Sequence, residues 1–127
     1  MPIPLKLNAG RLRQQDIKRY WEDGFLFPIP AISPDAALEF RRQLEAIETE
    51  WTHKSLPQPL NTYKRVNAQC VMPLAYQIGA EPGILNVVEG ILGPDILIHA
   101  VKFSIKEPKT RHKVTMHQDL TYWGLGA

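Results

Sequence analysis

The sequence predicts an α+β fold in one domain spanning residues 1–127, with a helical region over 11–93 followed by core strands over 96–119. Three observations carry this expectation. Apolar residues between 14 and 92 recur at helical spacing. Helix-starting and helix-stopping residues bracket those stretches. From residue 96 the pattern changes to alternation of apolar and polar positions, the period of a half-buried strand.

The elements follow in order. Residues 14–23 read as a short helix, with Ile17, Tyr20 and Trp21 on one stripe and Gly24 at its C-terminal end. Residues 25–29 read as a strand, which Pro28 confines to an edge or cuts short. Ser33 is placed to cap a second helix, Pro34 suits its first position, and Leu38, Leu44, Ile47 and Trp51 form its apolar face. Residues 52–67, broken by Pro57, Pro59 and Asn61, read as a long surface loop. Two short helices are expected over 72–79 and 83–92, each with a proline near its start and a glycine near its end. Residues 96–106 then read as the long strand, with Val101, Phe103 and Ile105 alternating against Ala100, Lys102, Ser104 and Lys106. That parity puts His99 on the apolar face, away from Lys102. After a polar turn at 109–113, residues 114–117 are expected to pair back antiparallel.

Composition narrows the function classes. Hydrophobic content of 44% and charged content of 22% suit a globular chain with a hydrated surface. A net charge of +2 is too small to indicate nucleic acid, and the basic run 109–113 reads as a solvated turn. The lone Cys70 excludes an intrachain disulfide; it reads as a small buried residue and fits a reducing, cytoplasmic setting. No stretch reads as a secretory leader or membrane span.

The chemistry-bearing motif is His117-Gln118-Asp119. On a strand, residues two apart share a face, so an imidazole and a carboxylate can converge on one ion. They are two legs of the triad that holds non-haem iron(II), with positions left open for co-substrate and oxygen. The alternative is a His and an Asp that meet only solvent or each other. A metal-dependent hydrolase built on the same pair with His99 is a further, weaker reading.

The context of that motif resembles a known family. Residues 81–95, ending Gly93-Pro94-Asp95, lead into the alternating segment; Glu107-Pro108, the polar turn and His117-Gln118-Asp119-Leu120-Thr121-Tyr122-Trp123 follow. In order, spacing and flanks this resembles the phytanoyl-CoA dioxygenase family, as do the helix, Gly24-Phe25-Leu26 and second helix near the N-terminus. The resemblance implies N-terminal helices packed on the first strands of a double-stranded β-helix (a jelly roll), incomplete in this chain. It also implies a 2-oxoglutarate-dependent dioxygenase that hydroxylates a small-molecule substrate with O2, binding iron(II) through His117 and Asp119. A carboxylate at 119, where halogenating relatives have a small residue, points to hydroxylation.

Lys102 sits where similar enzymes turn a basic or polar residue toward the cavity, and is a candidate contact for a carboxylate; a solvent-facing lysine is the other reading. Gln118 points away from its neighbours on a strand, either supporting the ligands or meeting water. Trp123 is expected near substrate or in the core. The distal histidine and the arginine that grips 2-oxoglutarate lie further downstream in the family. The chain's remaining histidines, His53, His99 and His112, are poorly placed to replace the former. The chain therefore reads as the N-terminal half of an oxygenase domain, a fragment. A truncated product, a non-catalytic module with the family fold and a subunit completed by another chain are the alternatives. Open strand edges would favour self-association.

Overall fold

The computed structural model describes residues 3–106, 108–111, 113 and 115–118. Among the described residues, five α-helices and one 3-10 turn form in the order expected from the helical periodicity, with one added helix. The first, α1 (Gln14–Asp23), ends at Gly24 in the left-handed region at φ 77°, whose N–H donates to the Tyr20 carbonyl at 2.8 Å. Its N-terminus is organised by Arg13, whose guanidinium donates twice to buried Asp16, at 2.7 and 3.0 Å. Ile17 and the preceding Leu12 face Gly90 of the last helix. Trp21, expected on the same stripe, is 65% exposed and meets Tyr20 edge-on instead.

The second helix, α2 (Pro34–Thr52), starts as predicted: Ser33 Oγ accepts from the Ala36 N–H at 3.1 Å and Pro34 opens the first turn. Leu44, Ile47 and Trp51 pack on the core, while Leu38, which at helical spacing falls off their stripe, stays exposed. The opposite face carries Glu39–Arg42 and Arg41–Glu45 pairs at helical spacing. Two hydrogen bonds from Arg42, with a further one from Gln43, hold the Glu39 carboxyl down to about 2.

Residues 52–67 are not wholly loop. They contain α3 (Leu60–Arg65), started by Pro59, which the clustered prolines hid. Lys64 turns back to pair with Glu48 of α2 at 2.5 Å, and Tyr63 meets Trp51 edge-on. A 3-10 turn, Ala68–Cys70, follows Asn67 in the left-handed conformation (φ 44°, ψ 50°). Cys70, expected inside, is exposed, whereas Ala68 and Met72 on either side of it are buried. Then come α4 (Pro73–Gly79) and α5 (Pro82–Leu92), both with proline in the first turn. Gly83 in α5 sits so close to Ala31 that a Cβ there would lie 1.9 Å from the Ala31 carbonyl oxygen.

The strands are the correction. The expected α+β fold, with the opening strands of a double-stranded β-helix, is contradicted: among the described residues there is no sheet, only an isolated bridge between Asn8 and Arg11. Residues 25–29 form no strand, and the bond from the Leu5 N–H to the Pro28 carbonyl at 3.0 Å is not part of a ladder. Residues 96–106 are not a strand either, because their backbone partners are helix ends. Phe103 N–H donates to the Lys64 carbonyl (2.9 Å), Ala68 N–H donates to the Val101 carbonyl (3.0 Å), and Val101 N–H donates to the Gln69 side chain (2.8 Å). A ladder needs a second extended chain offering groups at every other residue; the last turn of α3 and the 3-10 turn offer only these. Alternation reports a half-buried extended segment, not what pairs with it.

The core lies where this segment crosses the helices. Ala68, Met72 and Ala75 are its buried centre, with Leu44, Ile47, Trp51, Val101 and Phe103 packed around them. Among the described residues no helix is long and apolar enough to cross a membrane.

Candidate functional site

His117 lies in the described stretch 115–118, all of it exposed and without regular structure. Its Nδ1 is 2.7 Å from the Thr115 carbonyl. A carbonyl oxygen can only accept, so Nδ1 is the donor of this bond. A ring nitrogen donating to a backbone carbonyl is how ligating histidines are usually oriented. The imidazole chemistry fits a metal ligand. Asp119 and Trp123 lie outside the described residues, as does His112, and Gln118 is exposed beside His117. Among the described residues no three His, Cys, Asp or Glu side chains gather closely enough to hold an ion.

Lys102 and His99 are placed differently from the alternation expected. Ile96 and Ile98 face inward, but so do Val101 and Phe103, because Ala100 and Val101 are both half-buried and the parity slips by one residue between them. Ile98 and Val101 both settle against the bare backbone of Gly79 on α4. The outward set therefore becomes Leu97, His99, Lys102 and Ser104. His99 and Lys102, assigned to opposite faces by strict period two, line one cleft of about 200 Å³ with Arg65, Val66, Asn67 and Ala100. Arg65 was not singled out by sequence, where it stood inside an apparent loop. Its signal, a basic last turn of α3, becomes visible only once that helix is recognised.

The 52–67 region contributes a second, larger hollow of about 500 Å³, lined by Trp51, Leu56, Pro57, Pro59 and their neighbours. His53, at the end of α2, is exposed and does not line it.

The sequence model of the phytanoyl-CoA dioxygenase family matches residues 20–126, from the middle of α1 through the His117-Gln118-Asp119 motif. No curated protein and no solved structure matches the chain. A family match over most of the sequence settles the relationship: the chain belongs to the phytanoyl-CoA dioxygenase family.

Proposed function

We propose that this chain is the ligand-bearing part of an iron(II)- and 2-oxoglutarate-dependent dioxygenase that hydroxylates a small organic molecule. The observation that carries the reading is the family match running through His117 and Asp119. Bound iron(II), with 2-oxoglutarate as co-substrate, would supply the oxygen activation needed to hydroxylate a carbon centre, giving succinate and carbon dioxide.

The chain's own residues have simpler tasks. His117 would bind the metal through Nε2, its ring oriented by the Nδ1–H bond to Thr115. Asp119 would add a carboxylate ligand, completing two legs of a facial triad. By the family's pattern the third leg would be a histidine well downstream of this motif; among the described residues His53 and His99 join no metal-binding group. Lys102 would hold a carboxylate of substrate or co-substrate. Gln118 and Trp123 would border the ligands, the indole shielding the reacting centre from water.

Anaerobic iron(II) titration tests this. His117→Ala is expected to weaken iron binding by more than the about 10- to 100-fold that loss of a supporting partner costs. Equal affinity in the two proteins would remove the basis for the assignment. Succinate release coupled to 2-oxoglutarate consumption, in a preparation supplying the distal histidine and arginine, is the matching activity assay.

A further inference from the structure

Between α4, α5 and the start of the extended segment lies a cavity of about 480 Å³ that the metal motif does not use. Its walls follow from helical and extended spacing. Leu85 and Asn86 both lie one helical turn before Glu89 on α5, so the three share one face. Ile96 and Ile98, two apart on the extended segment, turn toward the same space. Tyr76 of α4 closes the third side. Leu85, Ile96 and Ile98 are half-buried whereas Tyr76 is 59% exposed, so the floor is apolar and the aromatic ring stands at the rim.

One end of the cavity is polar, and it is organised by a part of the chain that precedes the family match, which begins at residue 20. Residues 8–11 form a tight turn closed by reciprocal backbone bonds between Asn8 and Arg11, at 2.8 and 2.9 Å, with Ala9 and Gly10 both at positive φ (48° and 80°). Arg11 pairs with one oxygen of Glu89 at 3.1 Å. A Cβ at Gly10 would lie 3.5 Å from Asn86 Nδ2, so the turn packs on the Asn86 amide as well. The ion pair offsets the charge of Glu89 but engages only one of its two acceptor oxygens, and Asn86 can both donate and accept. Apolar walls with a few convergent polar groups are the usual makeup of a small-molecule site, and the volume lies in the usual range for one.

We propose that this cavity binds a small neutral molecule whose apolar body carries a hydroxyl group. The body lies against Leu85, Ile96 and Ile98, beside the Tyr76 ring. The hydroxyl donates to a Glu89 oxygen and accepts from the Asn86 amide, using both halves of its hydrogen-bonding capacity. A carboxylate is the wrong group here, because it meets the Glu89 carboxylate in a half-buried place where like charges repel. An ammonium gains little, because Arg11 already offsets that charge. The proposal requires neither iron nor His117. It can therefore fail while the metal assignment stands, or survive its loss.

The test uses the whole chain without metal. Cyclohexanol and cyclohexanecarboxylate are titrated separately, following backbone amide and Asn86 side-chain NMR signals. Saturable shifts concentrated at Tyr76, Leu85, Asn86, Ile96 and Ile98 are expected with the alcohol, and binding of the carboxylate should be weaker by about tenfold or more. Asn86→Ala should weaken alcohol binding about two- to tenfold. Tyr76→Ala should weaken it by about the same factor through lost apolar contact. Gln77→Ala, at an exposed neighbour on α4 that does not line the cavity, should leave it unchanged. Tyr76 and Gln77 are exposed, so those two variants retain the fold whatever Asn86→Ala does. Non-saturable shifts, carboxylate binding as tight as that of the alcohol, or equal weakening by Gln77→Ala would overturn the proposal.

Discussion

Asp16 is a carboxylate taken almost wholly out of water at the start of a helix, and Arg13 is what makes that tolerable. Two hydrogen bonds from the guanidinium hold its carboxyl below the ordinary value of 3.8, against the upward pull of burial. Because the folded-state value is the lower one, the pair's stabilisation is full above 3.8 and is lost as pH falls through the depressed value. Asp16→Asn should cost about 1–2 kcal/mol at neutral pH. In paired urea denaturation series the gap to wild type should close on acidification; a gap constant with pH would sink this account. Gly83 makes the opposite kind of demand. With only 1.9 Å between a would-be Cβ and the Ala31 carbonyl oxygen, Gly83→Ala must push the backbone leading into α2 away from α5. A loss of about 1–3 kcal/mol in the same denaturation measurement is the expected outcome.

Among elements, the least orthodox contact is the clasp between residues 96–106 and the end of α3. A side chain takes part in it where the Val101 N–H donates to Gln69. Gln69→Ala should speed hydrogen exchange at the Val101 amide by roughly the factor that about 1 kcal/mol gives, while the Phe103 amide, bonded to the Lys64 carbonyl, changes less. Unchanged Val101 protection would show that the side chain does not hold the clasp. This element also marks where sequence reading runs out. The ends of α1 and α2 were legible because Gly24 and Ser33 act within one turn of themselves. α3 was not, since Pro57 and Pro59 read as breakers although a proline directly before a helix is compatible with it. Residues 96–106 were legible as extended and half-buried, but a strand is defined by its partner, and a partner leaves no mark on the segment itself. His117 was legible as a candidate from its motif. The shared cleft of His99, Lys102 and Arg65 was not, because it depends on a one-residue slip and on a helix seen only in three dimensions.

For the molecule as a whole, stability rests on a narrow centre. Met72, 1% exposed, is the one large side chain fully enclosed among the described residues. It belongs to the buried cluster against which residues of α2 and the extended segment pack. Met72→Ala should cost about 2–5 kcal/mol and broaden or abolish the thermal transition followed by circular dichroism. A sharp, barely shifted melt would place the stabilising contacts elsewhere. Phe25, Leu92 and Leu97 remain on the surface, with Leu97 90% exposed, so enclosed contacts rather than total apolar content set the margin.

Ala100 has a role that neither packing nor charge alone describes. It is the supernumerary residue of the slip: without it, Ile96, Ile98, Val101 and Phe103 would fall into unbroken alternation and point inward as they do now. His99 and Lys102 would still point outward, but two positions apart instead of three, closer by one rise of about 3.3 Å. Ala100 is thus a gauge block. Removal at this point shortens the spacing of His99 and Lys102 by one residue while keeping the parity of the inward-facing set, and it draws Ile98 and Val101, which share the surface of Gly79, one residue closer.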